Sequence, residues 1–384
     1  MTSIDASLVL RARAAAQTLA PLADVIERER RLPAEAVAAL VRSDTFKLFV
    51  PRDYGGVEAN LETALAVLEE LARADGSAGW CAMVGSTSGL MSVFLDADVA
   101  REIFGAADAI ACGVFAPMGR ATIEDGGHRV SGRWAFASGC QHATWRMGGA
   151  VVVGDAPRSS GAPDVRSMIF RAEDTRVLDT WDTSGLRGTG SHDFEVTDVF
   201  VPASRSFSTL TDRPKYQGIL SALPFFGVLA TSVAAVTLGI ARGAIDAFVE
   251  LANGKQPLGA KRSIAHRELV QLGVAQAEGK VRAARALLHE AAREATEEAG
   301  RGAPLSLRHR ALLRVAACHA AAAAAAAVDL VYEAGGATSI YTKSPLQRHF
   351  RDVHVATQHV MVSPTSAILA GRVLLGLETD TSTL

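Results

Sequence analysis

The chain has 384 residues, 49% apolar and 21% charged, with a formal net charge of −2. That balance excludes a basic nucleic-acid binder and a disordered charged tail, and the length supports two or three domains with sizeable cores. The opening stretch MTSIDASLVLRARAAAQ has no apolar core of signal-peptide length. No apolar run reads as a membrane span either, the Ala-rich Ala316–Val328 being too short, so a cytoplasmic protein is expected. Four cysteines, at 81, 112, 140 and 318, form no CxxC pair and read as reduced thiols, and no metal site is expected.

Residues from 5 to about 110 predict helices. Apolar positions recur at spacings of three and four in Ala36–Leu40 and Leu61–Leu71. Pro51, Gly55 and Gly56 mark a connection between them, and Ser77 is the expected N-cap of a helix beginning near Trp80. From 111 to about 210 short β-prone runs alternate with Gly-Gly and Asp-Gly turns, and Phe194, Val196, Val199 and Val201 suggest period-two alternation. From 211 to 384 helices return. Phe225–Gly254, Arg267–Gly300 and Leu307–Ala334 are long, and a fourth starts near Pro345 with a final segment through Leu377. The expected architecture is an N-terminal helical domain (1–110), a middle β-barrel or sandwich domain (111–210) and a C-terminal four-helix bundle (211–384).

Five strings in this order, LFVPRDYGG, ELARADGSAGW, GRWAFASG, GLRGTGSHDFEVTDVFVP and GG…PLQRHFRD, resemble the acyl-CoA dehydrogenase superfamily. Within it the chain looks most like the reduced-flavin-dependent, two-component monooxygenases, through WDTSGLRGTGSHDFEV, Ser138-Gly139 followed by His142 and Trp145, and the C-terminal RD…H. The resemblance implies reduced FMN or FAD from a separate NAD(P)H:flavin reductase, and a homotetramer. It also implies O2 as co-substrate and oxygenation of a nucleophilic aromatic or amine through a flavin C4a-hydroperoxide. No strand–GxGxxG–helix unit occurs, which fits flavin reduced elsewhere.

By the same resemblance Phe136, Ala137, Ser138 and Gly139 lie along the flavin ring, with the Ser138 hydroxyl donating to or accepting from N5. Arg187 and Ser191 contact phosphate or substrate, and Gly335 and Gly336 let the backbone approach the pyrophosphate. A dehydrogenase needs a carboxylate base, which most of the family places nine residues after the Arg of the RD pair. Counted from Arg351 that position is Val360, and no acid occurs between Asp352 and Glu378, nor from Lys215 through Ala244. His359 stands one residue earlier, where the hydroxylases keep a histidine that steadies the flavin-bound oxygen. Trp80, Ser88, Trp134, His142 and Trp145 are the expected substrate-pocket residues. Ser88 takes the place of the phenol-deprotonating histidine of the relatives, and serine is no base at neutral pH. His142 and His192 are the alternative bases. An acyl-CoA dehydrogenase or oxidase with a relocated base is the second reading, and a non-catalytic flavin-fold protein the third.

Overall fold

In a computed structural model the described residues are 4–154, 163–256, 258–302 and 304–384; Met1–Ser3 of the opening stretch lie outside them. The chain opens with six helices: α1 (Ala6–Leu19), α2 (Ala23–Glu29), α3 (Ala34–Arg42), α4 (Leu61–Ala74), α5 (Gly76–Gly89) and α6 (Ala97–Phe104). The start of α5 differs from the sequence expectation. Asp75 holds an extended backbone and its carboxylate accepts from the Ala78 N–H at 2.8 Å, so Asp75 caps the helix and Ser77 lies inside it.

Seven strands follow: β1 (Ala111–Glu124), β2 (Gly127–Trp134), β3 (Trp145–Val153), β4 (Val165–Arg171), β5 (Arg176–Leu178), β6 (Asp193–Pro202) and β7 (Ser206–Phe207). They form one sheet in the order β5-β6-β2-β1-β3-β4-β7, antiparallel except for the β1–β3 pair. On β6 the alternation breaks once. Phe194 and Val196 face the core in one phase and Val201 in the other, because Asp198 adopts φ 56° and the register slips there. The sheet's core gathers around Trp134, stacked on Phe194 with 4.8 Å between ring centres.

The C-terminal block holds α7 (Ile219–Ala222), α8 (Phe225–Gly254), α9 (Glu268–Ala299), α10 (Leu307–Gly335), α11 (Pro345–Ala356) and α12 (Pro364–Leu374). α10 packs along both α8 and α9, and α8 packs as well on α4, joining the two helical blocks. That approach is close: a Cβ at Gly239 or Gly243 would lie 2.5 Å from the backbone oxygens of Glu69 and Arg73. Among the described residues two helices, Phe225–Gly254 and Leu307–Thr338, reach the length and hydropathy of a membrane span, which composition alone missed. In the first, 89% of the apolar window is buried within the protein, the position of a core helix. The expected fourth helix and final segment are α11 and α12; a short 3₁₀ turn, Val360–Val362, lies between them, and His359 caps that turn.

Candidate functional site

Two loops meet between the sheet and the helices. The loop after β2 and the loop before β6 are tied backbone to backbone, Ala137 N–H to His192 O at 3.0 Å and Gly139 N–H to Thr189 O at 2.9 Å. Four residues there take left-handed backbone: Phe136 (φ 65°), Gly139 (75°), Leu186 (48°) and Gly190 (51°). Such conformations cost about 1 kcal/mol or more for a side-chain-bearing residue and persist only where the surroundings impose them.

For Leu186 the constraint is the Arg-Asp pair on α11. The Asp352 carboxylate accepts from the Leu186 N–H at 2.6 Å. Arg351 donates to the Ser184 carbonyl and pairs with Glu27 on α2. Gly185 passes so near that a Cβ would stand 2.4 Å from the Arg351 carbonyl carbon and oxygen. Burial pushes the Asp352 carboxyl up to about 7, against the lowering by the Leu186 N–H, and pushes the Asp75 carboxyl up to about 6. The pair therefore clamps the loop, and the clamped loop presents hydroxyls.

Those hydroxyls form a chain. Trp80 Nε1–H donates to Ser138 Oγ at 3.1 Å; Ser138 Oγ and Ser191 Oγ are 2.7 Å apart; Ser191 Oγ and Thr189 Oγ1 are 2.6 Å apart; Thr189 Oγ1 donates to Leu186 O at 2.8 Å. On its other side the Trp80 indole meets His359 edge to face, with 5.6 Å between ring centres and 70° between planes. Trp80 is thus the link between Ser138 and His359.

His359 Nδ1 accepts from the Met361 N–H at 3.3 Å, so a neutral ring carries its proton on Nε2. Surrounding protein, and then the Arg314 cation, pull its pKa down to about 4, although the residue keeps some solvent access. Arg314 is fully buried and donates to the carbonyls of Met361 at 3.0 Å and Thr383 at 2.6 Å, holding the turn from behind.

Several expected site residues stand elsewhere. Trp134 is wholly buried in the sheet core and donates to Gly149 O at 2.8 Å, so it is packing and lines no cleft. Trp145 carries the guanidiniums of Arg171 and Arg205 over its ring, 4.9 and 5.0 Å from the ring centre, so the chain itself covers it there. His142 opens on a different groove, beside Arg31, Val37 and Asp108, and burial holds its pKa down to about 4. His192 Nδ1 accepts from the N–H groups of Thr180 and Trp181, both at 3.1 Å, and so serves the loop rather than a base's role. Ser88 is buried two turns further along α5, about 12 Å from Trp80 at 1.5 Å per residue.

Arg187 closes its own loop onto Thr183 O at 2.7 Å. A Cβ at Gly335 would strike Ser339 Oγ at 2.2 Å, with Leu346 and Leu251 next nearest, all three from the C-terminal block. Gly336 needs its left-handed φ of 56° but faces open space. A single chain therefore does not bring this turn beside Ser138. Residues that the sequence did not single out, Thr189, Trp181, Asp75 and Arg314, complete the site; of these only Thr189, inside the hydroxyl-rich GTGS, carried a readable signal.

The donor set fits a flavin. Phe136 is 72% exposed, a large ring left open in a strained backbone, with Trp181 against its edge at 6.2 Å. Beside this bare aromatic surface stands a buried neutral hydroxyl, Ser138, and a neutral imidazole lies across Trp80. An isoalloxazine ring is a flat aromatic surface with polar atoms along one side, and an open aromatic side chain with a hydroxyl beside it suits such a ring.

Two family models match the chain: acyl-CoA dehydrogenase, N-terminal domain, over residues 9–97, and acyl-CoA dehydrogenase, C-terminal domain, over residues 231–364. The chain is 33% identical to an indole-3-acetate monooxygenase of Pseudomonas putida, across 91% of its own length and 89% of the relative's. It is 32% identical to the oxygenase component of an FADH2-dependent resorcinol hydroxylase of Rhizobium sp., across 92% and 90%. Its fold is similar to XiaF from Streptomyces sp., solved with FADH2 and glycerol, with a TM-score of 0.88, 29% identity, and coverage of 97% and 96%.

Proposed function

The chain belongs to the acyl-CoA dehydrogenase family, in its branch of flavin-dependent monooxygenases that use reduced flavin and O2, and on that premise we propose that Ser138, Trp80 and His359 form the oxygenating site. The observation that carries this is Trp80 standing between the other two, hydrogen-bonded to Ser138 on one side and packed edge to face with His359 on the other. When bound, reduced flavin would supply two electrons to O2, of which one oxygen atom goes to a nucleophilic substrate and the other leaves as water. Phe136 and Trp181 offer the aromatic platform, and Ser138 positions the flavin edge. His359 holds a proton at Nε2 at neutral pH and offers it as a hydrogen-bond donor. Trp80 keeps water from the space between.

The substrate we propose is an electron-rich aromatic of the indole type, which reacts without first being ionised. α5 carries no His, Asp, Glu or Lys, and burial keeps Cys81 protonated, so a phenol would find no base there. The similarity to an indole-3-acetate monooxygenase supports the same class. We propose FADH2 as the flavin form, delivered by a separate NAD(P)H:flavin reductase, because the resorcinol hydroxylase is named as an FADH2-dependent oxygenase component. We propose a cytoplasmic homotetramer; apolar side chains left open along the helical block, among them Leu269, Leu272, Ile340, Tyr341 and Ile368, support the association of copies. Domain boundaries near 110 and 210 are supported by the sheet's extent from Ala111 to Phe207.

The test is to load wild type and His359→Ala with chemically reduced FAD, mix with O2, and follow hydrogen peroxide with and without indole. Loss of the Nε2 donor is expected to speed peroxide release on the order of 10–100-fold and to lower oxygenated product to match. Equal peroxide release from both proteins would refute the role given to His359.

A further inference from the structure

The hydroxyl chain has a fixed direction, and the direction discriminates between redox states. Trp80 Nε1–H can only donate and Leu186 O can only accept, so both ends of the chain are set. Thr189 gives its single proton to Leu186 O at 2.8 Å, so across the 2.6 Å contact Ser191 must donate to Thr189. Ser191 has then spent its proton, and across the 2.7 Å contact Ser138 must donate to Ser191. Ser138 therefore has no proton left to offer outward. One of its lone pairs takes the Trp80 N–H, and what remains is one acceptor site. Exposure rises along the chain, from 1% at Thr189 to 3% at Ser191 and 6% at Ser138, so Ser138 is the end that meets a ligand.

We infer that Thr189 and Ser191 make Ser138 an obligate acceptor and thereby select reduced over oxidised flavin. The inference rests on the reading that places flavin N5 at Ser138. Reduced flavin carries N5–H, a donor, and completes the array. Oxidised flavin presents a bare N5, which would face a lone pair. To serve it, the chain must reverse, Thr189 turning to Ser191 and Ser191 to Ser138, with the Thr189–Leu186 hydrogen bond lost. Leu186 O keeps the Trp181 Nε1–H at 3.1 Å, so the reversal loses one hydrogen bond without orphaning a carbonyl. One such bond corresponds to a preference of about tenfold. The device would let a protein that lacks a nicotinamide fold hold the flavin preferentially in the form its chemistry uses.

The experiment is anaerobic titration of the full-length protein with FAD and with dithionite-reduced FAD, read by tryptophan fluorescence. Thr189→Val and Ser191→Ala each release the relay, and the ratio of oxidised to reduced Kd is expected to fall about tenfold in both. In Thr189→Val the potential of the bound flavin should drop by about 30 mV, the two-electron equivalent of that factor. Thr189→Ser, which keeps the hydroxyl, should restore the wild-type ratio. If Ser138→Ala alters flavin binding while Thr189→Val and Ser191→Ala leave the ratio unchanged, the relay idea is overturned and the site stands. If Ser138→Ala changes neither affinity, flavin does not meet Ser138, and both fall together.

Discussion

Asp352→Asn should make the protein more stable at neutral pH and leave it nearly unchanged in acid. The carboxyl is 3% exposed, and burial, with Asp75 adding to it, raises its pKa from the ordinary 3.8 to about 7. The unfolded chain gives up this proton near 3.8, so between about 4 and 7 the folded state binds more protons than the unfolded one. Stability therefore falls as pH rises through that window, and the full penalty is present above 7. At 1.36 kcal/mol per pH unit the difference bounds the penalty at about 4 kcal/mol, and relaxation of Arg348, Arg351 and the neighbouring carboxyl brings the expected gain nearer about 2 kcal/mol. Asparagine keeps an oxygen for the Leu186 N–H, so the clamp survives the change. Urea unfolding at about pH 5 and about pH 8 measures it. A variant less stable than wild type at about pH 8, or a gain of equal size at both, would show that burial does not raise the Asp352 pKa.

Trp134→Ala should cost about 3–5 kcal/mol by emptying the sheet core, whereas Trp80→Phe should cost little stability but lower product yield; urea midpoints and product assays separate the two. Since burial keeps His359 neutral down to about pH 4, oxygenation in the Asp352→Asn background should show no His359-dependent acid limb near 6.5. An inflection there that disappears in His359→Gln would contradict the assigned protonation state. Gly185→Ala drives a Cβ to within 2.4 Å of the Arg351 backbone, and its reduced-FAD Kd, from the same fluorescence titration, should rise at least about tenfold while the helical core stays folded.

Much of this arrangement could be read from single residues, and the misreadings have physical causes. The Phe136–Gly139 string and His359 stand out in the sequence through the family resemblance, and the structure sets Ser138 and His359 on two sides of Trp80. The helix break at 357–363 was legible in principle: Ser363 followed by Pro364 is an N-cap and first-turn signal, and Ser363 Oγ accepts from the Ser366 N–H at 3.5 Å. Trp134 and Trp145 were assigned to a pocket because a sequence shows that an indole is present, not which face of a sheet it turns to. The direction of the hydroxyl chain was beyond the sequence altogether, since it depends on Leu186 being held in a left-handed turn by a carboxylate 166 positions away.

The groups that meet at Trp80 are an indole, three hydroxyls and an unprotonated histidine, all without formal charge. The charges stand one layer behind them: Asp352 and Asp75 at the loop clamp, Arg351 and Arg348 toward α2, and Arg314 under the His359 turn. Moving the charges back has two consequences. The site can exclude water without stranding an ion, since buried dipoles that satisfy one another cost far less than a buried charge. The layer behind still governs the site, because Arg314 adds to the burial that keeps His359 neutral and Asp352 fixes the turn whose carbonyl sets the direction of the relay. Between pH 6 and 7, where burial has placed the two carboxyls, that second layer carries protons of its own. Acid would therefore reach the site through the clamp on Leu186 well before it reached His359.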